Sequence, residues 1–248
     1  MTALARPEEA RELTDLMAGH LKHWVPASDT RYPWARKSVT DAIRQWMVEA
    51  ENADVLHAAG ERVMPLLLTG ETRCGKTSTM VEVARHYDVP AFRMTMGQVV
   101  GQYMGETIKG VKAALDEAAS AATGLWILDE VDGIFQQRGG GDNSGCAHEW
   151  NAAIGQGLAA IEALPPHVML VATTNEPGII DRAMLARFQR VDFPPWEELT
   201  EAERCAFARS HRHEPAGKSA SYAECVQEAR RERIRRILGT EKKAHDAP

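Results

Sequence analysis

The residues with the most evident chemistry are Gly-Glu-Thr-Arg-Cys-Gly-Lys-Thr at positions 70–77, directly after an apolar run at 63–69. Two glycines let the backbone bend tightly enough for its N–H groups to surround a phosphate, and the following helix adds its positive dipole end. Lys76 would supply a charge for the β- and γ-phosphates, and Thr77 a hydroxyl for Mg²⁺. The predicted nucleoside triphosphate site consists of Gly70, Glu71, Thr72, Arg73, Cys74, Gly75, Lys76, Thr77 and Ser78.

Two acidic residues follow a second apolar run. Residues 125–128 predict a buried strand that ends in Asp129 and Glu130, and parallel strands deliver their last residues to the ligand edge of a sheet. We expect Asp129 to hold magnesium, and Glu130 to orient and polarise the water that attacks the γ-phosphate. The alternative, a strand that ends in a solvated acidic turn, is disfavoured by the phosphate-binding loop in the same chain.

Asn175 ends a third apolar run, which covers residues 168–174. At the same sheet edge it would hydrogen-bond both the γ-phosphate and the lytic water. Taken by itself, an Asn at the end of a strand is more often a turn residue.

The elements that must position these residues alternate along the chain. Short apolar strands are predicted at 66–68, 91–94, 125–128, 168–172 and 191–193, with helical patterns between them. This alternation predicts an α/β fold with a mainly parallel five-stranded sheet covered by helices on both faces. After Pro194 and Pro195, helical patterns at 197–211 and 221–238 predict a small C-terminal helical lid.

The apolar spacing over 7–24 predicts an amphipathic helix, either docked on the core or binding a partner, and 39–59 is also predicted helical. The predicted organisation is an N-terminal helical extension (1–38), a nucleotide-binding core (39–195), the lid (196–238) and a tail (239–248).

Composition narrows the function classes. A net charge of −6 argues against a general nucleic-acid coat. The four cysteines are widely spaced and are predicted to be reduced thiols. The sequence shows no apolar run of membrane-spanning length, and we expect a cytoplasmic protein without a membrane partner.

Together these motifs resemble the AAA ATPase family, and specifically its branch that includes katanin, spastin and the protein-unfolding members. Residues 70–77 match the Walker A motif, 125–130 the Walker B motif with its catalytic glutamate, and Asn175 the sensor 1 position. The resemblance covers residues 40–238. It implies a P-loop NTPase three-layer sandwich with a helical lid, and ATP hydrolysis with Mg²⁺ as cofactor.

A ring is also implied by this resemblance. Residues 180–188 are similar to the family's second region of homology, in which arginine fingers reach the nucleotide of a neighbouring subunit. Arg187 matches the second finger, whereas Ala186 stands at the position of the first. Arg182 and Arg190 either substitute for the missing finger or are solvated. The implied assembly is a homo-oligomeric ring, by resemblance a hexamer.

A protein substrate is implied by residues 102–107, which resemble the pore loop of members that thread polypeptides. An aromatic ring at Tyr103 and a thioether at Met104 would grip chains of almost any sequence. The alternative is that both side chains pack in the core. The glycine-rich run 138–145 predicts a mobile loop within the core, where a second pore loop occurs in such relatives.

The chain also departs from this family. Glu71-Thr72-Arg73 replaces the usual Pro-Pro-Gly, which leaves the backbone donors unchanged, and no sensor 2 arginine is identifiable. Two rival functions therefore stay open: a nucleic-acid-associated motor or loader, and an ATP-gated switch with low turnover.

The basic run 230–236 predicts either a salt-bridged lid helix or a contact with nucleic acid or an adjoining subunit. His211 and His213 are predicted to lie at a solvated helix end.

Overall fold

The protein is described by a computed structural model, which covers residues 22–23, 37–95, 124–133, 135, 145–211 and 219–237, together with helical residues between 110 and 120. The strands in these ranges are β1 (Lys22–His23), β2 (Leu66–Thr69), β3 (Ala91–Thr95), β4 (Gly124–Asp129), β5 (Val168–Thr174) and β6 (Gln189–Asp192). The helices are α1 (Lys37–Glu51), α2 (Ala53–Ala58), α3 (Lys76–His86), α4 (Gly145–Glu162), α5 (Arg182–Leu185), α6 (Glu201–Ser210) and α7 (Tyr222–Ile237).

The described strands form one sheet in the order β1-β3-β4-β5-β2-β6. Strands β2 to β6 are parallel to their neighbours, and only the two-residue β1 is antiparallel to its neighbour, β3. The carboxyl ends of β2, β4 and β5 are therefore adjacent at one edge. The predicted parallel five-stranded sheet is confirmed.

Both faces of the sheet are buried, because successive residues of the apolar strands point to opposite sides. Leu66 and Leu68 belong to a cluster that also holds buried residues of α1, α3, α6 and α7. Leu67 points the other way, into a cluster that includes buried residues of α4. The fold is therefore a three-layer sandwich, as predicted.

Several boundaries differ from the predictions by one or two residues, and two differences have a clear structural cause. Lys22 and His23, at the end of the helix predicted over 7–24, instead form β1 and pair with Arg93 and Phe92. The open edge of β3 supplies backbone partners there that a local helical spacing cannot reveal. Strand β6 begins at Gln189, two residues before the predicted start, because the Gln189 N–H donates to the Pro65 carbonyl at 2.8 Å. The remaining domain limits stay predictions.

The two predicted lid helices are present as α6 and α7. A capping box between Thr200 and Glu203 begins α6. The Tyr222 hydroxyl donates to the Pro194 carbonyl at 2.8 Å, and the Trp196 indole N–H donates to the Ser219 carbonyl at 3.0 Å. These bonds fix the lid to the end of the core. Within the described ranges, no helix has the length and apolar character needed to cross a membrane.

Candidate nucleotide-binding and catalytic site

The predicted chemistry converges on the carboxyl edge of the sheet. The phosphate-binding loop follows β2, Asp129 and Glu130 end β4, and Asn175 follows β5. Their side chains line one cleft of about 430 Å³. The cleft is lined by Thr72, Arg73, Gly75, Lys76, Thr77, Ser78, Arg93, Asp129, Glu130, Thr173, Asn175, His211 and Val226.

The two loop glycines are required by geometry. Gly70 has φ 149°, and a β-carbon added there would lie 2.8 Å from the Phe193 β-carbon and 3.0 Å from the Cys74 sulfur. Gly75 has φ 104° and caps the N-terminus of α3 in a left-handed conformation. Glycine adopts such angles without steric cost, so both positions allow the tight conformation of the loop.

Arg73 takes a conformation that arginine disfavours. Its φ is 68°, in the left-handed region, and its side chain is exposed at the cleft. A β-carbon in this region approaches the following carbonyl oxygen, which costs roughly 1–2 kcal/mol. The loop therefore holds local strain at the position where the resemblance expects glycine.

Replacing Arg73 by Gly is expected to raise the free energy of unfolding by about 0.5–1 kcal/mol, because glycine relieves the strain at positive φ. Chemical denaturation would measure the change. The matched control is Arg73→Ala, which removes the guanidinium but keeps the β-carbon. If Arg73→Ala stabilised the protein as much as Arg73→Gly, charge rather than backbone strain would be the cause.

Lys76 is buried, with 7% relative exposure, and its ammonium group donates hydrogen bonds both within the loop and beyond it. It donates to the carbonyls of Gly70 at 2.7 Å and Glu71 at 2.8 Å, and to Asn175 Oδ1 at 2.8 Å. Lys76 therefore links the phosphate-binding loop directly to the predicted sensor residue. A phosphate arriving in the loop would exchange these contacts for its own oxygens.

Cys74 packs beside this lysine. Its thiol is buried, and its sulfur lies 3.7 Å from Lys76 Nζ. Burial raises the pKa of Cys74, and the neighbouring Lys76 charge opposes that rise. Cys74 thus serves as a neutral thiol that fills space under the loop. Cys205 and Cys225 are also free thiols, as predicted.

Thr77 and Asp129 present the oxygens that a magnesium ion prefers. The Thr77 hydroxyl donates to Asp129 Oδ1 at 2.8 Å, so the two predicted metal ligands are adjacent. In the described part of the chain, no group of three or more His, Cys, Asp or Glu side chains is placed to hold a metal. An Mg²⁺ ion at Thr77 and Asp129 fits this donor set, because Mg²⁺ typically takes its remaining ligands from phosphates and water.

Thr173, on β5, is a site residue that the sequence reasoning missed. Its buried hydroxyl donates to Asp129 Oδ1 at 2.5 Å and accepts from the Glu130 N–H at 3.2 Å. Glu130 has φ 61°, a left-handed conformation, and an exposed side chain in the cleft. Thr173 therefore fixes the turn that separates the predicted metal-binding carboxylate from the predicted water activator.

His211 reaches the cleft from the lid, at the end of α6. Its ring packs against Phe207 at a tilt of 42°, with a centroid distance of 4.5 Å, and its Nδ1 lies 3.1 Å from the Phe207 carbonyl. Burial lowers the pKa of His211, which favours the neutral ring. His211 does end α6, as predicted, but the expectation of a solvated side chain is wrong, because its ring is half-buried against Phe207.

The lid and the loop are also joined through Glu71. Its carboxylate accepts a hydrogen bond from the Trp196 backbone N–H at 3.1 Å, in the turn that leads into the lid. Glu71 occupies one of the positions at which the sequence departs from Pro-Pro-Gly. The departure supplies a lid contact that proline cannot make.

Arg187 is not among the residues that line this cleft. It precedes β6, whose first residue Gln189 pairs with Leu66 at the amino end of β2, whereas the phosphate-binding loop begins at the carboxyl end. Four residue steps separate Leu66 from Gly70, roughly 13 Å at strand spacing, and Arg187 lies in the turn before the Gln189 end of that span. The Arg187 guanidinium donates to Glu162 Oε1 at 2.8 Å and to the Ala183 carbonyl at 2.8 Å.

The two other arginines that could substitute for the missing finger are both exposed. Arg182 is exposed on α5, and Arg190 forms an exposed ion pair with Asp192 at 2.6 Å. Tyr103, Met104 and residues 136–144 lie outside the described residues, so both predicted pore loops stay predictions.

The sheet order, the loop and the acidic strand end define the chain as an α/β protein with a P-loop NTPase fold. The model of the ATPase family associated with various cellular activities (AAA) matches residues 66–195, just over half of the chain. The chain belongs to this family. The narrower resemblance to katanin and spastin stays a prediction.

Individual relatives match the same region. An ATP-dependent zinc metalloprotease FtsH 4 of Sphaerobacter thermophilus is 31% identical over 54% of this chain and 21% of its own length. A proteasome-activating nucleotidase of Thermococcus gammatolerans is 32% identical over 51% of this chain and 32% of its own length. A putative ribosome biogenesis ATPase nvl of Dictyostelium discoideum is 28% identical over 60% of this chain and 17% of its own length. The matches therefore span at most about a third of these relatives.

Proposed function

We propose that the protein is a magnesium-dependent ATPase. The observation that carries this proposal is the convergence of Lys76, Asp129, Glu130 and Asn175 on one cleft, with Lys76 bonded directly to Asn175. A binding loop alone would support nucleotide binding only. An exposed acid beside a metal-binding carboxylate, together with an amide facing the same cleft, supplies what hydrolysis of the γ-phosphate requires.

Each residue has a defined task in this mechanism. The loop N–H groups and Lys76 bind the phosphates, and Thr77 with Asp129 hold the metal. Magnesium, when bound, neutralises charge on the β- and γ-phosphates. Glu130 takes a proton from the attacking water, while Asn175 orients that water and the γ-phosphate. Thr173 keeps the two acids in their separate orientations.

We further propose that active sites are shared between subunits of a homo-oligomeric ring, a hexamer by family resemblance. The supporting observation is the position of Arg187 just before the amino end of β6, whereas the phosphate-binding loop follows the carboxyl end of the neighbouring β2. A repeated head-to-tail interface places such a residue at the neighbour's cleft and closes into a ring. Arg187 then stabilises charge on the transferred phosphoryl group.

A protein is the proposed substrate, gripped by Tyr103 and Met104. Two of the relatives are named for action on proteins, as a metalloprotease and as a proteasome-activating nucleotidase. The second candidate function is a nucleic-acid motor or loader, which is favoured by the end of α7. Five exposed arginines lie there: Arg230, Arg231, Arg233, Arg235 and Arg236.

A phosphate-release assay with Mg²⁺ at several protein concentrations tests the proposal. Specific activity should rise with protein concentration, because shared sites form only on assembly. An unfolded protein should stimulate turnover, and single- or double-stranded DNA and RNA should not. Stimulation by nucleic acid alone would favour the motor or loader, and negligible turnover at every concentration would favour the ATP-gated switch.

A further inference from the structure

Arg93 is a charged residue within β3, a strand whose other residues are mostly apolar and buried. Its neighbours Phe92 and Met94 belong to the cluster that contains residues of α4. Strand alternation points Arg93 to the opposite face, which carries α3. Nothing in the mechanism above uses this arginine, although it lines the nucleotide cleft.

The partner of Arg93 is the metal-binding carboxylate itself. Arg93 Nε donates to Asp129 Oδ2 at 2.8 Å, and its Nη2 contacts the same oxygen. The Asp129 side chain is 7% exposed and that of Arg93 38% exposed. The other carboxylate oxygen, Oδ1, accepts from the Thr77 and Thr173 hydroxyls. Both oxygens of Asp129 are therefore engaged before any metal binds.

A buried carboxylate is costly without a compensating charge, and removing one partner of such a pair leaves that cost uncompensated. In the metal-free protein Arg93 supplies the compensation. A magnesium ion at Thr77 and Asp129 would take over this role, and its two charges would lie close to the guanidinium. Metal and arginine thus compete for the same carboxylate.

We infer that Arg93 is an internal counter-ion of Asp129, which magnesium displaces, and that Arg93 thereby sets the Mg²⁺ concentration at which the nucleotide site loads its metal. This inference rests on the proposed Mg²⁺–nucleotide site, and it makes Arg93 a positioning residue. Because Asp129 exchanges its contact with Arg93 for a contact with Mg²⁺, the position of its carboxylate depends on whether the metal is bound. The site changes its counter-ion without leaving the carboxylate unpaired.

The test measures how the binding of a fluorescent ADP analogue to the full chain depends on the Mg²⁺ concentration. Wild type, Arg93→Gln and Arg93→Lys are each titrated with Mg²⁺, starting from metal-free protein in EDTA. Loss of the neighbouring charge should lower the half-saturating Mg²⁺ concentration about tenfold in Arg93→Gln, as expected for one unit charge a few ångströms away. Arg93→Lys keeps the charge, so its half-saturation should stay near the wild-type value.

Thermal unfolding gives a second readout. Arg93→Gln should lower the unfolding temperature in EDTA and recover most of that loss with ADP and Mg²⁺. The matched control is Arg85→Gln on α3, outside the cleft. Arg85 pairs with Glu82 at 3.2 Å with exposures of 35% and 6%, close to those of Arg93 and Asp129. Arg85→Gln should lose the same stability in EDTA and in Mg²⁺, with unchanged half-saturation.

An unchanged half-saturating Mg²⁺ concentration in Arg93→Gln would overturn the inference, as would an equal shift in Arg93→Lys, because the charge would then not be the cause. Equal loss of stability with and without metal would do the same. Since ADP binding is measured, the outcome decides the role of Arg93 even if the protein hydrolyses no ATP. Failure of the proposed function would appear separately, as absent phosphate release by wild type.

Discussion

Replacing Glu130 by Gln is expected to stop ATP turnover while nucleotide binding persists. The amide cannot accept the proton of the attacking water, and general-base catalysis is worth about 10²–10⁴ in rate. Glu130 is exposed in the cleft, and its backbone is fixed by the hydrogen bond that its N–H donates to the Thr173 hydroxyl. The substitution therefore leaves Lys76, Thr77 and Asp129 in place. Single-turnover phosphate release and binding of a fluorescent ATP analogue measure the two properties.

The matched control for this substitution is Glu176→Gln. Glu176 is an exposed acid at the same sheet edge, directly after Asn175, and its anchoring bond is from its backbone N–H to the Thr174 hydroxyl. Its side chain has no assigned part in the reaction, so turnover should match wild type. Retained turnover in Glu130→Gln would remove Glu130 from the role of water activator, and lost nucleotide binding would make it a binding residue.

Site residues could be predicted from the sequence wherever they lie directly at the end of a strand. The phosphate-binding loop, Asp129 and Asn175 were predictable because parallel strands bring their carboxyl ends to one edge, whatever the detailed packing. The five strands were predictable for the same reason, since buried parallel strands are short apolar runs. Their pairing order does not follow from local pattern, and β6 began earlier because a backbone bond to Pro65 extends it.

The missed residues all act across elements. Thr173 lies within an apolar run, where a threonine is an ordinary strand residue, and only the neighbouring β4 gives its hydroxyl a task. His211 reaches the cleft only because of how the lid packs on the core, which local helical spacing does not specify. Arg93 did leave a signal, a single charge inside the apolar run of β3. That signal becomes specific only once Asp129 is known to lie beside it.

Replacing Arg187 by Ala is expected to reduce turnover by about 10³, the lower end of what a charge-stabilising arginine contributes to phosphoryl transfer. Arg187 also forms an ion pair with Glu162, with side-chain exposures of 30% and 44%. Such partly exposed pairs contribute little to stability. Glu162→Gln removes the ion pair but keeps Arg187, so it should retain turnover. Loss of activity in Glu162→Gln would assign the effect of Arg187→Ala to local structure.

Mixing the two inactive variants distinguishes a shared site from one built within a single subunit. An Arg187→Ala subunit keeps Glu130, and a Glu130→Gln subunit keeps Arg187. A complete active site therefore forms wherever the Arg187 of a Glu130→Gln subunit reaches the cleft of an Arg187→Ala subunit. In a randomly mixed ring at equal amounts, about a quarter of the interfaces combine both intact residues. Phosphate release should therefore recover to about that fraction of wild type. A mixture as inactive as its components would place Arg187 outside the neighbour's site, because subunits in which both residues act on the same nucleotide cannot complement each other.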